Sequence, residues 1–203
     1  GKASGIDGLH PQLLKGCAQV LCKPLQILFR KSLDSGVLPN EWKKALIKPI
    51  FKKGDHHEVG NYRPVSLTSV VSKIMESVVK QDIMKHLMDQ ELLSKYQYGF
   101  VPGKSCESQL LTCMNLWTKS LEDGHPVDVI YTDFRKAFDA VPHQRLLKKL
   151  CAYGLGPKVV KWLEGFLCGR KQSVSVNGVM SDWVDVTSGI PQGTVLGPVC
   201  FLL

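Results

Sequence analysis

The stretch VDVIYTDFRKAFDAV, residues 127–141, decides how the rest of the chain is read. Val127, Val129 and Ile130 are β-branched and apolar, the composition of a buried strand. The apolar run, broken only by Asp128, stops at a carboxylate, Asp133, and a further acid, Asp139, follows six positions later. A carboxylate at the end of a strand has two readings. It can accept hydrogen bonds from the turn that follows. It can also offer a hard oxygen ligand at a fixed point to Mg²⁺, which prefers oxygen donors and keeps several waters. These residues alone leave both open. Phe138 lies where the chain turns back past Asp133.

Outward from this stretch, helical patterns alternate with a few strands. Val20, Leu21, Leu25, Leu28, Phe29 and Leu33 recur at helical spacing over residues 18–35, and Gly36 can end that helix. ALIKPIF (45–51) reads as a strand, demoted by Pro49 to an edge or irregular one. KKGDHHEVGNYRP (52–64) reads as a loop. Val70, Val71, Ile74, Val78 and Val79 open a long helix to about Met88. Ser105 can cap a helix reaching Leu121. Pro142 and Pro157 start two more, near 142–151 and 157–168. SVSVNGVMSDWVDV (173–186) alternates around Asn-Gly and reads as a hairpin. SGIPQGTVLGP (188–198) reads as a loop that begins a helix. The layout is α/β or α+β, with a small sheet and long helices.

Composition narrows the class. The chain has 203 residues, 44% of them hydrophobic, which suits a folded protein. No apolar run is long enough to cross a membrane as a helix. No basic-then-apolar leader opens the sequence. The seven cysteines form no CxxC pair and do not join the six histidines at zinc spacing, so reduced, mostly buried thiols of an intracellular protein are expected. Net charge is +8, which favours a polyanionic partner. The charge is clustered at Lys43, Lys44, Lys48, Lys52 and Lys53, at Arg145, Lys148 and Lys149, and at Arg170 and Lys171. Charged runs are ordinarily solvated faces. Lysines that interrupt an apolar strand suit phosphate contact better.

Three further motifs carry chemistry. In YGFVPGKS (98–105), Gly99 and Gly103 are separated by three residues, whereas a P-loop needs four for its amides to wrap phosphate. An ATPase reading therefore fails. A capped turn remains, or a loop that touches nucleic acid through Lys104. In NYRPVSL (61–67), Arg63 sits between an aromatic residue and a proline that restrains the backbone. In SGIPQGTVLGP, Gln192 is flanked by Pro191 and Gly193. Small neighbours allow close approach to the backbone, and a held glutamine can both donate and accept hydrogen bonds.

Taken in order, these blocks resemble reverse transcriptases, specifically those of non-LTR (LINE-type) retrotransposons of the jockey and CR1 kind. DFRKAFDAVPH resembles the first palm motif. GKASGIDGLHPQLLK resembles the lead-in. WKKALIKPIFKKGD and NYRPVSLTSVVSKIME resemble the first fingers motifs, and YQYGFVPGKSCESQL the second. SGIPQGTVLGPVCFLL resembles the motif that begins a long palm helix. The resemblance covers nearly the whole chain.

It implies a right-hand polymerase fold, with a helical lead-in over residues 1–44, fingers over 45–125 and an incomplete palm over 126–203. It implies an RNA-directed DNA polymerase that adds dNTPs by two-metal phosphoryl transfer. Asp133 would bind two Mg²⁺ ions, with the Phe134 carbonyl assisting one. Phe138 would stack beneath the incoming sugar and exclude a 2′-hydroxyl. Arg63 would lie over the triphosphate, helped by Lys73, and Gln192 and Gly193 would line the nucleotide pocket. Lys48, Lys52 and Lys104 would contact nucleic acid. Asp139 and His143 would be structural, in the turn and at the helix start. The partners would be RNA template, DNA primer and dNTP, with no membrane, in the nucleus for target-primed synthesis or in the cytoplasm. Such enzymes also carry a paired-aspartate hairpin after the helix near Thr194. These 203 residues contain no Asp-Asp pair, so the chain is expected to be an inactive piece of a longer enzyme. The competing reading is a degenerate or domesticated remnant that binds nucleic acid without catalysis.

Overall fold

The computed structural model describes residues 4–203, so the first three residues of the lead-in motif lie outside the described residues. A short helix α1 (Pro11–Gly16) leads into α2 (Ala18–Ser35). Gly36 ends α2 in the left-handed region at φ +70°, and its N–H bonds back to the Ser32 carbonyl. Strand β1 (Lys44–Phe51) then pairs antiparallel with β2 (Tyr62–Leu67). The stretch 62–64, expected in a loop, thus belongs to a strand. The tyrosine and alternating valine and leucine of YRPVSL carry β propensity that Arg63 and Pro64 within it obscure.

Helix α3 (Val70–Asp89) follows, with Ser69 accepting from the Ser72 N–H and the Asp7 carboxylate accepting from the Val70 N–H. Two donors at the helix start are thereby satisfied. Helix α4 (Cys106–Glu122) opens with a capping box between Ser105 and Ser108. Helices α5 (His143–Ala152) and α6 (Pro157–Leu167) precede β3 (Arg170–Val176). Asn177 and Gly178, both at positive φ, turn the chain into β4 (Val179–Met180), and β5 (Val184–Val186) returns along β3. Helix α7 (Gly197–Leu202) completes the described chain.

The sheet runs β2-β1-β3-β4, with β5 also on β3. β1 and β3 are parallel, so a long crossover through four helices joins them. The β1–β3 pairing covers Lys44 to Ile47 only. Pro49 lies beyond it, facing Pro64 on β2, so its missing N–H leaves no gap on the β3 side. Met75, Val79, Ile83 and Leu87 of α3 meet Leu146 and Leu150 of α5, Trp162, Leu163 and Phe166 of α6, and Leu196 and Val199 near α7 in one buried core. The Trp162 indole donates to Ser32 at 3.0 Å, which ties α2 to that core.

Two expectations are corrected here. Residues 127–130 form no strand, and the segment is not buried: Ile130 is 86% exposed, Tyr131 85% and Phe134 78%. A strand needs a neighbour for its backbone groups and a layer over its side chains. Both edges of β1 are taken by β2 and β3, and β3 is flanked by β1 on one side and β4 and β5 on the other. Along β2, the Ser66 N–H is taken by the Gln192 carbonyl. No strand pairs with 127–130 among the described residues. The cysteines are free as expected but mostly accessible: only Cys200 is buried. Cys17, Cys22 and Cys106 sit on α1–α2 and at the start of α4, away from the core. Helix α4 itself has no buried residue, with Leu110, Leu111 and Met114 exposed.

Candidate functional site

The loop 188–196 is laid against the turn 138–143 by main-chain bonds. Ile190 N–H donates to the Phe138 carbonyl at 2.8 Å, and Gly189 N–H to the Val141 carbonyl at 2.9 Å. The buried His143 ring donates through Nε2 to the Gly189 carbonyl at 2.7 Å. Gly189 has φ +83°, and a Cβ there would stand 2.7 Å from the Asp139 carbonyl oxygen. Only glycine admits this approach without strain. On its other flank the loop docks on β2, where Ser66 N–H donates to the Gln192 carbonyl at 2.8 Å. Gly193, at φ +103°, passes within 3.0 Å of the Ser66 carbonyl oxygen, measured from the Cβ it lacks.

This docking opens a cleft on each side of the loop. One, of about 450 Å³, is lined by Arg63 and Val65 of β2, by Phe100 and Phe138, and by Pro191 to Thr194. The second, of about 400 Å³, is lined by Ala45, Ile47, Ser66, Asp139, Gln172 and Gln192. Side chains alternate along a strand, so Arg63 and Val65 present one face of β2 and Pro64 and Ser66 the other. Gln192 borders both clefts. Its amide nitrogen donates to the Asp139 carboxylate at 3.0 Å. Phe138 stacks on Phe201, with ring centres 4.8 Å apart.

Arg63, Phe138, Gln192 and Gly193 are therefore brought together. Asp133 and Phe134 are not among the residues lining either cleft; they lie on the exposed segment described above. Lys73 is in the first turn of α3 and also lines neither cleft. Lys48 donates to the Ser175 hydroxyl at 2.8 Å, bracing β1 against β3. Lys104 donates to the carbonyls of Lys95 and Gln97 at 2.6 and 2.9 Å and lies over the Tyr98 ring, so it closes its own loop. Lys52 is exposed. Arg170, counted with Lys171 as a surface charge, is 1% exposed. Its guanidinium donates to the Phe166 carbonyl at 2.9 Å and covers the Phe166 ring. Burial lowers its pKa to about 10, against the pull of Glu76.

Phe100 and Glu76 were missed, and Asp139 was assigned only its turn. Phe100, at φ +62°, lines the Arg63 cleft. Asp139 holds Gln192 as well as its own turn. Glu76 is fully buried, and its carboxyl group accepts from the Val195 and Leu196 amides at 2.7 and 3.3 Å and from Ser72 at 3.1 Å. Burial raises the Glu76 pKa, opposed by those amides, by Ser72 and by Arg170. The signal for Glu76 was an acid on the buried face of α3, which is otherwise apolar apart from Ser72 one turn earlier.

No group of three or more His, Cys, Asp or Glu side chains gathers to hold a metal among the described residues. Asp133 and the Phe134 carbonyl are two oxygen donors on one exposed segment. That set does not make a complete two-ion centre, which needs more oxygen ligands than these.

The sheet, the helical core and the docked Gly-Pro loop are those of a polymerase domain. The chain belongs to the reverse transcriptase (RNA-dependent DNA polymerase) family, whose model matches residues 50–203. It is 31% identical over 201 residues to the RNA-directed DNA polymerase from mobile element jockey of Drosophila melanogaster, covering 98% of this chain and 22% of that protein. It is 30% identical over 201 residues to the corresponding jockey protein of Drosophila funebris, covering 98% and 22%. It is 28% identical over 203 residues to the probable RNA-directed DNA polymerase from transposon X-element of Drosophila melanogaster, covering 100% and 22%. The chain thus spans between a fifth and a quarter of these relatives. Members of the family are nucleotidyltransferases, and this class of polymerase generally depends on divalent metal. No helix among the described residues is long and apolar enough to cross a membrane.

Proposed function

We propose that the protein is an RNA-directed DNA polymerase of a jockey-like retrotransposon, and that the cleft between Arg63 and the Gln192–Gly193 loop receives the incoming dNTP. One observation carries this reading: Arg63, Phe138, Gln192 and Gly193, separated by up to 130 residues in sequence, line a single cleft. A guanidinium at one wall suits a polyphosphate, to which arginine donates in paired hydrogen bonds. A flat aromatic ring, Phe138, suits the face of a sugar and leaves little room for a 2′-hydroxyl. Gly193 lets the substrate approach the backbone, and Gln192 offers an amide oxygen.

RNA template and DNA primer are the macromolecular partners in this reading, met in the nucleus or the cytoplasm. Residues 45–125 would be fingers and 126–203 palm, after a lead-in over 1–44. Of the candidate lysines, Lys52 and Lys73 would meet anionic ligands, whereas Lys48 and Lys104 have protein partners. When two Mg²⁺ ions are bound they supply charge neutralisation for phosphoryl transfer. Asp133 and the Phe134 carbonyl are the ligands this chain would contribute. A second reading, nucleotide and nucleic-acid binding without turnover, is favoured by the place of Asp133 on an exposed segment that lines neither cleft.

Fluorescence titration with dNTP, beside a filter-binding titration with an RNA–DNA template-primer, tests the proposal. Arg63→Ala should weaken dNTP binding by about tenfold, the loss of one charge-assisted pair. Template-primer affinity should fall as salt rises. Unaltered dNTP binding in Arg63→Ala would remove the cleft from the account.

A further inference from the structure

The loop that carries Gln192 and Gly193 is gripped at both ends by one continuous piece of chain. Ser66 of β2 donates to the Gln192 carbonyl at 2.8 Å, and Gly193 presses on the Ser66 carbonyl. Two residues beyond β2, α3 begins, and from it Glu76 reaches the amides of Val195 and Leu196 at 2.7 and 3.3 Å. Arg63 lies on the same strand as Ser66. Both walls of the cleft are therefore referenced to one unit, β2 followed by α3.

Packing does not explain Glu76. Met75 and Val79 on its own helix, and Leu196, whose amide it accepts, all belong to the buried core. A leucine or methionine would fill that volume without the cost of removing a carboxyl group from water. The carboxyl is instead used as a three-way acceptor. One oxygen takes both loop amides and the other takes the Ser72 hydroxyl. The Ser72 bond sets the plane of the group, so its second oxygen has one direction available to it.

We propose that Glu76 is a positioning residue: it fixes the Gln192–Gly193 loop at a set distance from Arg63, and so sets the width of the cleft for the nucleotide. This rests on the nucleotide reading of the cleft given above. Glu76 itself touches no substrate. It acts through Val195 and Leu196, three and four residues after Gln192.

Two variants of the chain, measured by amide hydrogen exchange and by dNTP titration, test this. Glu76→Leu keeps the volume and removes the acceptors. Exchange at Val195 and Leu196 should then accelerate at least about tenfold, while Ile83 in α3 and Leu163 in α6 keep their protection. The Kd for dNTP should rise about tenfold, the cost of a lost loop anchor. Glu76→Gln retains an acceptor oxygen and should restore most of both. Equal acceleration at all four amides, no acceleration at Val195 and Leu196, or a Glu76→Gln that behaves as Glu76→Leu would overturn the proposal. Should Glu76→Leu not fold, Ser72→Ala removes only the hydroxyl that orients the carboxyl. It should produce the same selective exchange to a smaller degree, and unchanged exchange at Val195 and Leu196 would overturn the proposal. A wild-type chain that binds no dNTP would remove the nucleotide reading, and the exchange pattern would then decide the role of Glu76 in holding the loop.

Discussion

Asp139 accepts a 3.0 Å hydrogen bond from the side-chain amide of Gln192, across 53 residues of sequence. An ionised carboxylate accepts only, so it determines which end of the amide faces it. The Gln192 nitrogen turns to Asp139, and its oxygen is left free as an acceptor at the border of the two clefts. Asp139→Ala should release that orientation. Because the pair is exposed, stability should change by no more than about 1 kcal/mol. Binding of dNTP should weaken severalfold, and Asp139→Asn should fall between, since its amide can pair with either end of Gln192. Paired urea unfolding and nucleotide titration would read both quantities, and a stability loss without a binding loss would contradict the assignment.

Gly189 makes a sharper prediction about the loop. Its φ of +83° and the 2.7 Å approach to the Asp139 carbonyl leave no room for a methyl group. Gly189→Ala should cost about 1–3 kcal/mol, from backbone strain added to a clash with main chain. Chemical denaturation would measure it. A neutral substitution would mean the loop and the 138–143 turn separate readily.

Much of this arrangement was legible in the sequence, and the limits have physical causes. Gly36, Ser105, Pro157 and Asn177–Gly178 are local signals, and the structure follows each of them. Arg63, Phe138, Gln192 and Gly193 were picked out by motif and do converge. The strand before Asp133 did not form, because β propensity is expressed only where a partner strand and a covering layer exist. Arg170 and Lys171 look alike as letters, yet the alternation of β3 buries one and exposes the other. Glu76 was legible only as an acid, and Asp139 only as a residue of its own turn. Their partners lie 119 and 53 residues away, which no local pattern reports.

Stability should depend on pH through Glu76 in a definite direction. Burial raises its pKa in the folded chain above the ordinary value of 4.5. Below that ordinary value the group is protonated in both states, and its stabilising contribution is fully present. As pH rises through 4.5 toward the raised folded value, the unfolded chain ionises first, and stability is lost. The wild-type chain should therefore lose stability relative to Glu76→Gln as pH rises from 4.5 through the raised folded value. Urea midpoints of the two chains across that range would show it. A constant difference would mean that Glu76 has the same pKa folded and unfolded.

Phe138 packs on Phe201 at 4.8 Å while lining the cleft, so its removal should have two separable effects. Phe138→Ala should destabilise the fold by about 1–3 kcal/mol, less than a fully buried phenylalanine, because the ring is only half-buried. Ribonucleotides should also bind more nearly as well as deoxyribonucleotides. Parallel titrations with dGTP and GTP, corrected for the folded fraction, would separate the two. Unchanged sugar preference would leave Phe138 with a packing role alone.

In the proposed reading one cleft, walled by Arg63 and by the Gln192–Gly193 loop, takes the nucleotide. Amide and side-chain NMR of the isotopically labelled chain during titration with dNTP tests it most directly. Shifts should concentrate at Arg63, Phe138, Gln192 and Gly193, and in Arg63→Ala about tenfold more nucleotide should be needed to produce them at the other three. Shifts confined to other surfaces, or none at saturating nucleotide, would contradict it.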